Sequence, residues 1–224
     1  VGNHAGYVYN NTDLYPSSLT TWRNLNCYTD ADGDGYAAGT TTVTFYPTLD
    51  GHVVRSLANP GESWTTLQNG AGTGTDGGSA LTTPFYSQTS NTTDQYTLIV
   101  RAILMFDTSS IPDGATINSA TLSIFGGVGT NNNITSTMLT NIVSNSQAST
   151  AAIAASDYAI ANFGSTKFST GISEANWSTT AYNDFILNAS GLANISKTGI
   201  SKFGGRSEHY IGNTAPGGPF TTVS

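Results

Sequence analysis

The feature that most constrains the fold is an apolar run over residues 96–106. In an extended chain, alternate side chains point to opposite faces, and in this run both faces would be almost wholly apolar. The run contains one charged residue, Arg101, and is too short to cross a bilayer about 30 Å thick. Because it is apolar on both sides, the pattern predicts a strand at the centre of the fold.

The segment after this run predicts a turn followed by a second strand. Pro112 lacks a backbone donor and Asp113-Gly114 favours a tight turn. Over residues 116–125 apolar side chains alternate with Ser and Thr, which indicates one buried face and one solvated face. We therefore expect residues 98–124 to form a hydrogen-bonded hairpin enclosed between two stacked sheets.

The rest of the chain predicts an all-β fold with little helix. Turn signals recur at short intervals, which is typical of sandwiches and barrels. An Ala-rich stretch over residues 150–163 has helical composition, with Asp157 placed to cap a final turn. Residues 46–224 are predicted to form a jelly-roll β-sandwich with one or two short helices in loops, and residues 1–45 an N-terminal arm. Weaker strands are predicted over residues 41–46, 52–57, 134–143, 182–187 and 199–206.

Composition and charge exclude several classes of partner. Charged residues make up 9% of the sequence, whereas about a quarter is usual in soluble proteins. The net charge of -7 would repel a polyanion, so we expect neither nucleic acid nor an anionic membrane as a partner. Because no apolar run is long enough to cross a bilayer, we expect no insertion into a membrane. The single cysteine, Cys27, excludes an intrachain disulfide.

No arrangement typical of an enzyme is present. Hydrolysis needs paired carboxylates, or a nucleophile with a histidine and an acid. The three histidines and the three glutamates are scattered and lie in no recognisable motif. We predict that the protein is not an enzyme and has no catalytic residue.

Residues 50–206 resemble a known family. A strand ending in Phe106-Asp107, a Pro-containing turn over residues 109–117 and a Ser-Ala-Thr-Leu strand over residues 119–124 follow one another. Together with residues 182–188 and 197–206, these segments resemble the DNRLRE-type extracellular domains, which are related to a family of carbohydrate-binding modules. The resemblance implies a jelly-roll accessory module, extracellular or at a cell surface, without catalytic residues. The family's usual last strand has no counterpart after Arg206.

One motif in the arm has metal-binding chemistry of its own. Carboxylates at alternate positions, followed by a glycine, match the first half of a calcium loop. At the twelfth position Thr41 replaces the bidentate glutamate of an EF-hand, so Asp13 or Asp50 would have to complete the site. The alternative is a solvated acidic turn. The predicted Ca²⁺ ligands are Asp30, Asp32, Asp34 and the backbone carbonyl of Tyr36.

Aromatic and neutral polar residues favour binding of a polysaccharide. Sugars are held by aromatic stacking and neutral hydrogen bonds, and the chain has three Trp and eleven Tyr. Trp64 and Trp177 are candidate platforms for a sugar ring, although a sandwich core also needs large aromatics. The sequence therefore predicts a non-enzymatic extracellular module for glycan binding or adhesion, in a secreted or cell-surface assembly.

The alternative is a structural subunit of an extracellular filament, surface layer or virion appendage. A sandwich that lacks its last strand leaves an edge whose unpaired N–H and C=O groups accept a strand from another chain. Residues 41–46 alternate between polar and apolar and could fill the edge of a neighbouring copy, or fold back onto their own sheet. In this alternative the partners are copies of the same chain.

Overall fold

The structure, a computed structural model, describes residues 42–77, 87–126 and 139–218. The chain divides into two units, Val1–Thr44 and Phe45–Ser224. All the secondary structure described below lies in the second unit. None of the helices in the described part of the chain is both long enough and apolar enough to cross a membrane.

The described part of the second unit consists mainly of short antiparallel strands. The strands are β1 (Pro47–Ser56), β2 (Gly74–Gly77), β3 (Ser87–Thr89), β4 (Tyr96–Asp107), β5 (Thr121–Phe125), β6 (Leu139–Ser144), β7 (Ile172–Ser173), β8 (Tyr182–Ile186) and β9 (Ile200–Ser207). The α-helices are α1 (Trp64–Asn69), α2 (Ala189–Ala193) and α3 (Glu208–Ile211). Single 3₁₀ turns lie at Ala155–Tyr158, Ile160–Asn162 and Glu174–Asn176.

The strands form two sheets of unequal size. The larger has seven strands in the order β2-β1-β4-β9-β6-β7, with β3 also paired to β4, and the smaller is the pair β5-β8. Leu122 and Phe185 of the small sheet pack against Leu104, Ile142 and Phe203 of the large one. The predicted all-β sandwich is confirmed, with seven strands facing two in the described residues, whereas a regular jelly roll divides eight strands between two sheets.

Strand β4 is the centre of the large sheet, as the apolar run predicts. It pairs with β1 along one edge and with β3 and β9 along the other. Ile99, Ile103 and Met105 belong to one hydrophobic cluster, and Leu104 belongs to a second. The two apolar faces of β4 therefore pack into two cores. One core is covered by the small sheet, and the other by α1 and the loop over residues 153–163.

The predicted hairpin is wrong. Strand β5 pairs with β8 in the other sheet and has no register with β4. After β4 the chain turns, with Ile111 N–H donating to the Thr108 carbonyl at 3.0 Å and Ala115 N–H to that of Pro112 at 2.9 Å. It then crosses to the facing layer. Alternation specifies which face of a strand is buried, but that face is buried equally well beside a strand or across the core from it.

The weaker predictions are partly confirmed. Strands β8 and β9 match their predicted ranges to within a residue, and β1 begins five residues before its predicted start. The predicted strand over residues 134–143 is described only from Leu139. Residues 42–46 form no strand, which corrects that prediction, because Tyr46 is 80% exposed and the ladder to β4 begins at Pro47.

The Ala-rich stretch forms two 3₁₀ turns and no α-helix. The Asp157 carboxylate accepts the Ala154 N–H at 2.8 Å. Asp157 thus caps the start of the first turn, not the last turn as predicted. Tyr158 anchors the stretch, since its fully buried hydroxyl donates to the Leu67 carbonyl at 2.9 Å.

Candidate functional site

Trp64, a predicted sugar platform, is a core residue. Its indole is 5% exposed and lies 5.0 Å, centroid to centroid, from both Tyr210 and Tyr96. Ser63 caps α1 by accepting the Thr66 N–H at 3.4 Å, and Trp64 is the buried first residue of that helix. This burial corrects the expectation of a solvent-facing platform at Trp64.

Trp177 lies at the rim of the second core. It is half-buried and packs against Phe185 with a centroid distance of 6.3 Å and an interplanar angle of 51°. Trp177 therefore covers the end of the small sheet and is not brought near Trp64, which belongs to the other cluster. Its role as a ligand platform stays a prediction.

The predicted calcium ligands cannot be placed. Asp30, Asp32, Asp34 and Tyr36 lie outside the described residues. Within the described ranges, no cluster of three His, Cys, Asp or Glu side chains could hold a metal ion. Asp50, a possible additional ligand, lies in the first half of β1, and its partial burial raises the pKa of its carboxyl group above the ordinary value. The calcium site stays a prediction.

A candidate site lies on the solvent side of the small sheet, here called the outer face. Cross-strand pairs run along it from end to end. Five large hydrophobic residues in the described part of the chain are exposed, and three of them, Phe125, Tyr182 and Ile186, lie on this face. Single exposed apolar side chains are ordinary, but a cluster marks a surface that binds something. The outer face consists of Thr121, Ser123, Phe125, Tyr182, Asp184 and Ile186.

The two aromatic rings are held at one end of the outer face. Phe125 and Tyr182 are directly opposite in the register of β5 and β8. Their ring centroids lie 5.3 Å apart at 84°, an edge-to-face arrangement. The side chains are 59% and 64% exposed. Ring area therefore remains open to a ligand, which could stack on it.

A buried amide fixes this end of the ladder. Asn183 points into the fold, where its Nδ2 donates to the carbonyls of Ser178 at 2.9 Å and Ile124 at 3.3 Å, and its Oδ1 accepts the Ser178 N–H at 2.8 Å. Gly126 N–H donates to the Ala181 carbonyl at 3.0 Å. These bonds tie the connection before β8 to the end of β5, so that the neighbouring aromatic pair is set by backbone geometry.

A polar pair occupies the middle of the outer face. The Ser123 hydroxyl donates to Oδ1 of Asp184 at 2.6 Å, across the ladder. A carboxylate has about four acceptor sites, so acceptor capacity remains on Asp184 after this bond. One ladder thus presents aromatic ring surface, the Ser123 hydroxyl and the Asp184 carboxylate. At its far end Thr121 pairs with Ile186. Such a face can stack a ring and accept hydrogen bonds from hydroxyl groups.

Phe125 and Tyr182 were not among the predicted site residues, although the sequence contains a signal for them. In a strand whose inward positions are Leu122 and Ile124, the outward positions are expected to be polar, and Phe125 breaks that rule. The partnership with Tyr182 could not be inferred, because the predicted partner of this strand was β4.

Comparison of the chain with protein-family models, with curated proteins and with solved structures finds no match. The resemblance to the DNRLRE-type domains therefore stays a prediction. The case for a function depends on the geometry of the described residues alone.

Proposed function

We propose that the protein is a non-enzymatic extracellular module that binds neutral glycans on the outer face of its small sheet. The observation that carries the proposal is the exposed pair of Phe125 and Tyr182 beside the Ser123–Asp184 hydrogen bond. A sugar offers C–H surface to an aromatic ring and hydroxyl donors to a carboxylate. The outer face holds both complements on alternate rungs of one ladder, those that point to solvent.

Charge favours a neutral sugar over an acidic one. Asp184 lies in the middle of the outer face and is exposed, and the whole chain has a net charge of -7. An acidic sugar would meet a like charge at the site and a repulsive field on approach. Neutral hydroxyl groups face no such penalty and can donate to the free acceptor sites of Asp184.

Size and charge argue against a face-to-face contact between copies of the chain. The ladder is five residues long, which spans about 14 Å, and it has only two strands. A stable protein interface usually covers about 800 Å² on each partner. A second copy packed on the outer face would also bring two Asp184 carboxylates together, which is unfavourable.

The test is affinity electrophoresis of the full chain through gels that contain neutral polysaccharides of the glucan, xylan and mannan classes. We expect at least one of them to retard the protein. The double variant Phe125→Ala/Tyr182→Ala should lose this retardation, because the stacking surface is removed while both side chains are already solvated. Unfolding curves should show that the double variant stays folded.

Tyr46→Ala provides the matched control. Tyr46 is 80% exposed and lies outside the ladder, so its loss should leave retardation unchanged. Glycan binding through the outer face is refuted if the double variant binds as well as the wild type, or if no polysaccharide retards either. Sedimentation of the same samples tests the alternative structural role, since self-association lost with the aromatic pair would favour an assembly subunit instead.

A further inference from the structure

Two arginines lie side by side in the first core, away from the outer face. Ala102 of β4 pairs with Gly205 of β9; Arg101 and Arg206 are the next residues along the two strands, and their charges interact. The side chains are 0% and 3% exposed. Two guanidinium groups, which stay charged at neutral pH, are therefore buried on neighbouring strands of the large sheet.

Arg101 is held by backbone carbonyls and an aromatic ring. Its Nη2 donates to the Gln68 carbonyl at 2.8 Å, and its Nη1 donates to that of Tyr158. The guanidinium carbon lies 3.9 Å from the centre of the Tyr158 ring and 5.7 Å from that of Phe163. These contacts join α1 and the 3₁₀ segment to the sheet, but none of them carries a negative charge.

Arg206 is held in the same way. Its Nη1 donates to the carbonyls of Gly164 at 2.9 Å and Phe163 at 3.3 Å, and its Nη2 donates to that of Tyr210 at 2.9 Å. The Nε atoms of both Arg101 and Arg206 are buried and have no hydrogen-bond partner among the described residues. An unpaired donor on a buried charged group is costly.

The charge of the pair is not neutralised within the described ranges. The two ion pairs there join Arg55 to Glu62 and Lys167 to Glu208. Burial, and after it the charge of Arg101, lowers the pKa of Arg206 to about 10. Carbonyl dipoles solvate the two cations, yet a net positive field remains at this place in an otherwise acidic protein.

A surface cleft opens beside Arg206. Its volume is about 460 Å³, and Arg206 forms part of its wall. Gln68 Nε2 donates to Oδ1 of Asn213 at 3.0 Å, which leaves the Asn213 amide nitrogen available as a donor toward a ligand. Among the described residues, no acidic side chain lines this cleft. The lining includes Gln68, Asn69, Ser165 and Asn213 as polar groups and Ile160 and Ile211 as apolar ones.

We propose that this cleft binds a small organic carboxylate with a compact, partly apolar body. The buried pair of Arg101 and Arg206 supplies the positive field, the amide and hydroxyl groups supply hydrogen-bond donors, and Ile160 and Ile211 contact the body of the ligand. A negative charge placed here is attracted by the pair at the intermediate effective dielectric of a protein surface, where charges act more strongly than in bulk water. The inference is independent of glycan binding on the outer face.

The test uses benzoate and its neutral analogue benzamide on the full chain, followed by thermal unfolding and by amide chemical shifts. Benzoate is expected to raise the unfolding temperature and to shift the amide signals of Gly164 and Ser165, whereas benzamide should do neither. Acetate, which lacks the apolar body, should bind more weakly than benzoate. Inorganic phosphate binding more tightly than benzoate would overturn the assignment to a carboxylate, and equal effects of benzoate and benzamide would overturn the role of charge.

A matched pair of variants at Ser165 tests the field itself. Ser165 is exposed at the cleft, so neither change should prevent folding. Ser165→Asp should weaken benzoate binding roughly tenfold or more by like-charge repulsion, and it should raise the unfolding temperature relative to Ser165→Asn. Ser165→Asn, which is uncharged and keeps a hydrogen-bond donor at this position, is the reference for that comparison. The inference is wrong if Ser165→Asp binds benzoate as Ser165→Asn does, or if it is the less stable of the two.

Discussion

The indole of Trp64 lies flat against the ring of Tyr210, with centroids 5.0 Å apart and an interplanar angle of 10°. The contact joins the first residue of α1 to α3, which are far apart in sequence. Tyr96 of β4 closes the other side edge-on, and its hydroxyl donates to the Pro216 carbonyl at 2.7 Å. One aromatic stack thus fastens both helices and the segment after α3 to the central strand.

Truncation of this stack should be strongly destabilising. Trp64→Ala removes a buried indole and should lower the free energy of unfolding by about 3–5 kcal/mol. Trp64→Phe should cost clearly less, because a ring stays in the stack and the indole N–H, which is buried and has no partner in the described part of the chain, is removed. Urea unfolding measures both. An equal loss for Trp64→Ala and Trp177→Ala would contradict the assignment, since Trp177 is only half-buried.

A close approach between Gly204 and Phe163 predicts a second loss of stability. A Cβ on Gly204 would lie 2.6 Å from the Cδ1 atom of the Phe163 ring. Gly204→Ala should therefore cost about 1–3 kcal/mol through overpacking. Gly114→Ala is the control, because nothing lies within 4 Å of a Cβ at that position, and it should stay within about 1 kcal/mol of the wild type. Chemical denaturation measures the free energy of unfolding of both variants. Equal values would contradict the close approach of Gly204 to Phe163.

The tight packing around Gly126 should control the arrangement of the aromatic pair on the outer face. A Cβ on Gly126 would lie 1.6 Å from the Ser178 carbonyl oxygen, so Gly126→Ala must displace the connection that leads into β8. We expect weaker glycan retardation in the electrophoresis assay as well as a lower unfolding temperature, because the neighbouring Phe125 and Tyr182 move apart. Retardation equal to that of the wild type would show that the ring spacing is not needed.

Glu208 predicts a pH dependence of stability. The hydrogen bond from Lys167 at 2.5 Å, ahead of that from Asn141 at 3.0 Å, lowers the pKa of its carboxyl group. A pKa that is lower in the folded state stabilises the fold above the unfolded pKa of about 4.3, and this stabilisation is lost as the pH falls through the folded value. Both side chains are partly exposed, so the effect is small.

The measurement compares the wild type with Glu208→Gln by urea unfolding at neutral and acidic pH. The wild type should be the more stable protein at pH 7, and its advantage should shrink as the pH falls below about 4. High salt should reduce the contribution of the ion pair with Lys167 at neutral pH. An advantage that grows on acidification would contradict the sign of the pKa shift.

Local pattern was sufficient for several elements of the fold. The run around Ile103 has two apolar faces because it separates two cores, and alternation around Leu122 correctly gave one buried and one solvated face. The same pattern could not identify which strand pairs with which. Leu122 is buried against the facing sheet, whereas the backbone of β5 pairs with β8. In that pairing Ser123 lies opposite Asp184, which is 61 residues farther along the chain.

The residues of the candidate sites could be identified only from the tertiary structure. Amino-acid composition counts an aromatic residue in the same way whether its side chain fills a core, as that of Trp64 does, or faces solvent, as that of Phe125 does. Likewise, the sequence shows Arg101 only as a charged residue within an apolar run. Its neighbour Arg206 becomes visible when β9 pairs with β4.

The sequence by itself determined the all-β class, the central strand around Ile103 and the buried face of β5. These follow from side-chain periodicity, which is a property of neighbouring residues. Only the tertiary structure decided that β5 pairs with β8, that Phe125 meets Tyr182 and that Arg101 lies beside Arg206. The reason is physical: hydrogen-bonding partners and side-chain neighbours are chosen between segments distant in sequence, where several pairings bury the same apolar surface.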